Sequence, residues 1–397
     1  MNKLNPLILI FTFLVFQMLG MSALGGESVD RTFCVNESSR GSVVFIADAC
    51  ETPDGQVENS AVEPSVKLAA NTSVDPVMPF SGVEKPVGKT NHARAPENKP
   101  YSARSVQLTF GTNVARRVGD LVWSIASDNS GLRTPNVLSE LSHEDLEMNE
   151  LEVDFQVRFK KGFLKSFLLE SRLRYGKVAH GQTQDSDYHG NDRTVEFSRS
   201  LSSNTGDYAA DYSFAFGYQF FPQQWVNFNL LFGYSKHEQF IRIEDAVQNI
   251  ATVSETPPLG PLDDLNTTYQ ATWEGAWIGA QALVNLGPLQ FNWRFEHHNA
   301  NYYAEANWNL RSSFAHPRSF EHITEGQGNV VDLGVSYGVP LSRGGKLFFD
   351  TVVRTQWWVT SAGLDRVFLS NGNIVTTRLN EVDWRSRSLS IGVHYVK

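Results

Sequence analysis

The sequence predicts an all-β fold, a transmembrane antiparallel β-barrel of about ten strands. Three observations support this fold class. Apolar and polar residues alternate from Ser105 to the C-terminus, which is typical of strands with one apolar and one polar face. The connections between these strands are alternately short and long. Beyond the N-terminal segment, no run of about 18 apolar residues could form a spanning helix.

Residues 1–25 have the pattern of a signal peptide. Lys3 supplies the positive charge, an apolar stretch runs from Pro6 to Leu19, and small residues near Ala23 suit cleavage. A retained membrane anchor is the alternative, but the apolar stretch is short and no stop-transfer charges follow it. No cysteine lies at the cleavage point, so a lipoprotein anchor is not expected. The mature chain is therefore predicted to be exported.

Residues 26–104 form a separate exported segment in this interpretation. It contains both cysteines of the chain, Cys34 and Cys50. Export to an oxidising compartment favours a disulfide between them over two free thiols. From Glu51 to Ala103 the composition shifts to Pro, Glu, Asn, Ser and Lys, which predicts a flexible linker.

Residues 105–397 form the predicted barrel. Between Leu151 and Lys160, for example, apolar residues occupy every second position and Glu, Asp, Gln, Arg and Lys occupy the others. The segments with this alternation begin near Val106, Leu151, Ser166, Tyr212, Val226, Ala276, Leu289, Val331, Leu347 and Leu389.

The order of the connections indicates which kind of barrel this is. Short connections fall at residues 160–162, 222–224, 287–288 and 342–345, and long ones at 112–148, 178–206, 244–268, 301–328 and 361–387. A soluble barrel has no reason to place every long loop at one end, whereas an outer-membrane barrel has short periplasmic turns and long external loops. We therefore expect location in the bacterial outer membrane with its lipid as partner. Lipopolysaccharide and an extracellular protein or peptide remain open as further partners.

Charge and motifs narrow the function classes. The net charge of −9 disfavours nucleic-acid binding, which usually needs a basic excess. The polar alternates include Arg, Glu and Asp, which can pair across the lumen, and a barrel of about ten strands is too narrow for a wide pore. Neither a cofactor nor a metal is predicted: no phosphate-binding glycine loop occurs, and Asp185, Asp187 and Asp192 lack the spacing of a calcium loop.

Three segments carry a resemblance to a known family. They are residues 136–141 (NVLSEL), residues 184–187 (QDSD) and the final strand, residues 392–397 (GVHYVK). On these, residues 105–397 resemble the omptin superfamily of ten-stranded outer-membrane barrels and the related Protochlamydia outer-membrane protein family. Omptins end on an aromatic residue, and here Lys397 takes that place.

The resemblance implies an endopeptidase site. In omptins, an Asp pair in the second loop faces an Asp-x-His pair in the fourth, and a water between them attacks the peptide bond. Asp185 and Asp187 match the first pair. Asn307 and Asn309 fall where the second is expected, and Asn cannot act as a general base. The nearest substitute is His316, so the candidate catalytic residues are Asp185, Asp187 and His316, with Glu305 and Glu321-His322 as further neighbours.

Three functions follow as hypotheses. The first is a surface protein or narrow channel with omptin-like architecture and an incomplete protease site. The second is an aspartic-type endopeptidase that uses Asp185 and Asp187 with a displaced His316. The third is adhesion or partner binding through the five long loops.

Overall fold

The computed structural model describes residues 105–221, 225–254, 256–342 and 344–397. The signal peptide, the Cys34–Cys50 disulfide and the linker predicted above lie outside these residues. Across the described ranges, no helix is long and apolar enough to span a membrane. The strands are β1 (Val106–Ile125), β2 (Ser139–Phe159), β3 (Phe167–Tyr188), β4 (Glu196–Ser203), β5 (Tyr208–Phe220), β6 (Val226–Ala251), β7 (Gly260–Pro261), β8 (Thr267–Leu286), β9 (Leu289–Asn307), β10 (Phe320–Leu341), β11 (Gly345–Thr360), β12 (Gly363–Phe368) and β13 (Ile374–Val396).

The strands form one closed antiparallel ring. Each long strand pairs with its neighbours in the chain, and β13 closes the ring against β1, with Val114 opposite Ile391. β4 and β5 share one position between β3 and β6, β12 continues the position of β11, and β7 adds two residues beside β6. The ring therefore has ten positions, which confirms the predicted strand number.

An apolar belt surrounds the half of the barrel that carries the short turns. Its outward side chains are large, apolar and exposed: Val114 is 57% and Ile391 58% exposed. A soluble monomer rarely exposes a continuous apolar surface of this size, whereas lipid requires one. We call it the lipid belt; its members include Leu108, Phe110, Val114, Leu151, Phe155, Leu173, Tyr175, Tyr212, Phe214, Phe216, Leu230, Phe232, Ile278, Phe291, Leu333, Val335, Tyr337, Phe349, Val353, Leu389 and Ile391.

Beyond the lipid belt the two faces of the sheet exchange character. In β1 the outward side chains change from Val114 to Arg116 and Asp120, while the inward ones become Leu121 and Trp123. The same exchange around the ring creates an apolar core inside the outer half of the barrel. This outer core includes Leu121, Trp123, Leu141, Leu146, Met148, Val178, Ile241, Ile243, Tyr269, Trp273, Tyr302, Phe320, Trp358, Leu379, Val382 and Trp384.

The predicted extents of the long connections are wrong. The connection expected at residues 112–148 consists only of residues 126–138, because β1 continues to Ile125 and β2 already begins at Ser139. Apolar and polar residues continue to alternate through this stretch, but here the apolar side chains point inward. Burying each of them stabilises the fold by about 1.5–3 kcal/mol. Strand ends predicted from outward apolar residues therefore fall too early, at the edge of the lipid belt.

Ion pairs fill the part of the lumen that the lipid belt surrounds, as the Arg, Glu and Asp residues at alternate strand positions predict. Arg117 lies 3.2 Å from Glu150 and also pairs with Asp211. Buried charges need such partners, because each costs several kcal/mol to remove from water. The other pairs are Arg174–Glu152, Arg172–Glu170, Arg172–Asp332, Arg294–Glu170, Arg294–Glu296 and Arg354–Asp332.

Candidate functional site

A β-bulge in β3 turns the two predicted acidic residues into the barrel. Met148 of β2 lies opposite Val178, but the preceding Glu147 lies opposite His180, so Ala179 is an extra residue in β3. Before this bulge the even-numbered side chains point inward, as far as Val178. After it Thr183 points inward, where its hydroxyl lies 2.6 Å from Nδ1 of the buried His143, and Asp185 follows two residues later on the same face. Strict alternation from Val178 would have turned Asp185 outward.

The acidic residues lie well above the lipid belt. In β3 the belt ends at Tyr175, and Lys177 is the next outward side chain. Asp185 lies ten residues beyond Tyr175, which at about 3.3 Å per residue is roughly 33 Å along the strand. Asp185 and Asp187 therefore lie outside the lipid belt, at the end of the barrel that carries the long connections and that the sequence predicts to be external.

The two carboxyl groups are coupled. Burial is the main cause that raises the pKa of Asp185 to about 8; the neighbouring Asp187 acts in the same direction, and Arg311 opposes both effects. Burial also raises the pKa of Asp187, against the hydrogen bonds of Ser139 and Ser198. Asp185 therefore retains its proton near neutral pH, because its charged form is poorly solvated and lies beside a second carboxyl group.

Asp185 borders a pocket of about 320 Å³ at the external end of the barrel, which we call the rim pocket. This volume is in the range of small-ligand sites. Arg311 supplies the charge that faces Asp185, and Trp308 contributes an aromatic wall. The other lining residues are Ser198, Ser200, Ile243, Gln248, Thr256, Pro257, Leu262, Leu265, Thr267 and Leu310.

The third predicted residue, His316, lies elsewhere. Its Nδ1 is 2.8 Å from the Oδ1 of Asn307, in an exposed position. None of the described residues that line the rim pocket is a histidine. The structure thus brings Asp185 and Asp187 together, and the rim pocket is lined by Asp185 but not by Asp187 or His316.

The other neighbours considered from the sequence have structural partners. Asn309 accepts a hydrogen bond from the Asn266 amide at 2.9 Å. Glu321 pairs with Arg318 and Arg366. His322 is fully buried against Trp123 of the outer core.

Sequence reasoning missed the residues that face the acidic pair. Trp308 and Arg311 follow β9 in a connection stabilised by a 3.0 Å hydrogen bond from the Arg311 amide to the Trp308 carbonyl. No local motif marks them, since they meet Asp185 only through closure of the barrel. The sequence also did not reveal a buried chain in which the Tyr269 hydroxyl lies 2.7 Å from that of Tyr302 and 3.0 Å from Nδ1 of His322. Among the described residues, no group of three or more His, Cys, Asp or Glu is arranged to hold a metal ion.

Comparison with known proteins identifies the relatives of this barrel. The family model described as Protochlamydia outer membrane protein matches residues 112–396. No curated protein matches the chain in sequence.

Among solved structures, the chain is similar to the outer membrane protease OmpT of Escherichia coli. The TM-score is 0.58 at 10% identity, covering 73% of this chain and 97% of OmpT. At this identity the likeness concerns the fold alone. The translocator domain of the autotransporter NalP from Neisseria meningitidis aligns with a TM-score of 0.31 at 11% identity, covering 75% of this chain and 90% of that one. That score is too low to support an argument.

Proposed function

The chain belongs to the Protochlamydia outer membrane protein family, and from this premise we propose that it is a sealed surface barrel that binds a peptide at its external end without cleaving it. Its location in the bacterial outer membrane follows from the family and from the fold that it shares with OmpT. The proposal concerns what the barrel does there. It retains the incomplete protease site inferred from the sequence and abandons the narrow channel.

The observation that carries the proposal is the outer core. Trp273 contacts Trp358 with ring centroids 5.6 Å apart and Tyr302 at 4.5 Å, and all three rings are at least 98% buried inside the barrel. Protein interiors packed in this way leave few voids larger than a water molecule. An ion entering from outside would have to displace apolar rings and lose its hydration, which is costly.

Conductance measurements test the sealed lumen. Purified, folded protein inserted into a planar bilayer should show no current above that of the protein-free bilayer, with a porin as positive control. Heat-dependent mobility on a denaturing gel would verify that the barrel is folded. Reproducible single-channel steps from the folded protein would contradict a sealed lumen.

The rim pocket supports binding of a peptide. Its wall of Ile243, Leu262, Leu265 and Leu310 can accept an apolar side chain, while Asp185 and Arg311 offer an acceptor and a donor for main-chain groups. A guanidinium in place of a histidine provides a permanent cation that cannot accept a proton from water. The chemistry of the pocket therefore favours binding over hydrolysis.

Titration with short leucine-containing peptides tests this binding. Because Trp308 lines the pocket, its fluorescence should change saturably, and Arg311→Gln should weaken binding by about tenfold, the usual effect of losing one charge-assisted hydrogen bond. The matched control is Arg133→Gln, which removes an exposed arginine of another external connection. Binding that is equally weakened by both substitutions, or no saturable signal at all, would refute the proposed pocket function.

The Asp185–Asp187 pair favours a second candidate, an endopeptidase. Two coupled carboxyls can hold and transfer a proton, as proteolysis requires, and a peptide-induced movement would have to bring His316 to them. Mass spectrometry of a mixed peptide library incubated with the folded protein distinguishes the two candidates. Cleavage that is abolished by Asp185→Asn and His316→Ala would support the endopeptidase; intact peptides after prolonged incubation would support binding alone.

A further inference from the structure

The opposite end of the barrel carries an excess of positive charge that the external site does not explain. The turn between β2 and β3 contains Lys160, Lys161 and Lys165. Lys346 is the second residue of β11, and Lys397 follows β13. The four short connections, read from the sequence, contain no Asp or Glu. The chain as a whole has a net charge of −9, so this concentration of cations is local.

A polar cavity of about 410 Å³ occupies the lumen at this end. A concavity bordered by Lys160, Lys346 and Lys397 lies at its mouth. Lys160 and Lys346 line both spaces. Their side chains therefore stand where a soluble molecule or a lipid headgroup would enter the cavity from the periplasmic side.

Deeper cations of the cavity are already neutralised. Arg172 lies 3.1 Å from Asp332 and 3.2 Å from Glu170, and Arg174 lies 2.8 Å from Glu152. Glu152, Glu170 and Asp332 are thus engaged with cations above the mouth, and Asp154, which also lines the cavity, lies 3.7 Å from Arg172. The remaining acid–base pair near the mouth joins His394 to Asp350 at 2.8 Å.

Arg158 is the exception among the buried cations. It is 6% exposed, and its Nη2 has only a 3.4 Å hydrogen bond to Gln156 Oε1. Within the described part of the chain, no ion pair within 4.0 Å involves Arg158, Lys160 or Lys346; Glu170, which acts on Arg158 at longer range, already binds Arg294 at 2.6 Å. A buried guanidinium without a carboxylate is costly, and an anion in the cavity would offset that cost.

We propose that Arg158, Lys160 and Lys346 form a binding site for a phosphate group at the periplasmic mouth of the lumen. A guanidinium presents a planar pair of donors to phosphate oxygens, and two ammonium groups complete the charge of a phosphate ester or of inorganic phosphate. The cavity is larger than a free phosphate ion, so it has room for the group to which the phosphate is attached. The phosphate can come from a periplasmic-leaflet lipid or from a soluble molecule.

Inorganic phosphate is the first probe. The folded full chain in an uncharged detergent, titrated and followed by phosphorus NMR, should bind it saturably. The double substitution Lys160→Gln with Lys346→Gln should weaken binding by at least about tenfold. The matched control, Lys161→Gln with Lys165→Gln, removes two lysines from the same turn that do not line the cavity and should change binding less than about twofold.

Arg158→Gln provides a second measurement that does not depend on affinity alone. Phosphate should raise the unfolding temperature of the parent protein, since a ligand of the folded state stabilises it. It should not raise that of Arg158→Gln, which remains folded because it loses an uncompensated charge. No saturable binding by the parent, or equal weakening by the mouth and control variants, would overturn the proposal.

Lipid nanodiscs distinguish the two sources of phosphate. If the headgroup of phosphatidylglycerol reaches the site, inorganic phosphate will bind more weakly in phosphatidylglycerol discs than in detergent, and the Lys160→Gln, Lys346→Gln variant will abolish this difference. If binding of inorganic phosphate is the same in both, the site takes a soluble phosphate. Both results support the site, which is independent of the external pocket and of its peptide.

Discussion

Asp332 and Asp185 show two different environments for a carboxyl group in this barrel, a cation beside it or another carboxyl. Asp332 has the first environment, with Arg354 Nη2 at 2.7 Å and Arg172 Nη1 at 3.1 Å. Asp185 has the second: within the described ranges it has no ion pair within 4.0 Å, and Asp187 acts on it as a like charge. The same residue type is therefore a structural anion inside the lipid belt and a proton carrier at the external rim.

The stability of the external end should consequently depend on Asp185. Its pKa in the folded protein, about 8, lies above its ordinary value of 3.8, so the folded state holds the proton more tightly than the unfolded state. Protonation therefore stabilises the folded state fully below about pH 4, and this contribution is lost as the pH rises through about 8.

Asp185→Asn, which resembles the protonated carboxyl, should flatten the dependence of the unfolding temperature between about pH 5 and pH 9. Circular dichroism of the folded protein in detergent measures it. Asp263→Asn, at an exposed position, should leave the parent profile unchanged. A parent profile that rises towards pH 9 would show that the sign is wrong.

Where the apolar side chains of a strand turn inward, the neighbouring strand must leave space for their large rings. Trp358 of β11 lies over Gly328 of β10, where an added Cβ would meet its ring at 2.2 Å. Gly328 therefore permits a tryptophan at the lower boundary of the outer core. Gly334 of the same strand faces the lumen at the level of the lipid belt. An added Cβ there would have Val352 as its nearest neighbour, at 3.1 Å.

Gly328→Ala should therefore destabilise the barrel by roughly 1–3 kcal/mol, because the Trp358 ring must move within a packed core. Gly334→Ala should cost less, since only a methyl group of Val352 must shift. Urea unfolding monitored by tryptophan fluorescence in detergent compares the two variants. Equal free energies of unfolding for both would argue against the contact between Gly328 and Trp358.

At the scale of the whole molecule, lipid and water contact different lengths of the same strands. Outward Val114 belongs to the lipid belt, whereas outward Val118 lies between Arg116 and Asp120, above it. The two valines share one strand and one face, and they differ in the solvent that surrounds them. This pair isolates the contribution of the membrane.

Val114→Arg should destabilise the barrel in lipid vesicles by about 1–2 kcal/mol, because Val114 is the last belt residue of β1 and the cost of a cation on the lipid face falls from about 2–4 kcal/mol at the midplane towards the interfaces. Val118→Arg should cost less than about 0.5 kcal/mol. Urea titration of folding into vesicles measures both values. A similar cost at both positions would mean that the lipid belt extends above Arg116.

The sequence predicted the closed barrel and its ten positions, because the outward apolar residues and the short turns are local signals. It predicted Asp185 and Asp187 as a pair, because residues 184–187 resemble an omptin segment, but it placed them in a long connection, whereas both belong to β3. It could not predict that they face Arg311, because that contact joins β3 to a connection more than a hundred residues later. Nor could alternation alone predict the bulge at Ala179, where one residue reverses the direction of all that follow.

The exchange of faces also limits which changes of chain length the barrel can tolerate. A one-residue deletion within β8 below Trp273 would rotate every later side chain of that strand to the opposite side, bringing polar groups to the lipid, while the paired strands stay in place. A deletion of two residues keeps the directions and only shortens the strand. Length variation within this family should therefore occur in even steps inside strands, and freely only in the segments that join them.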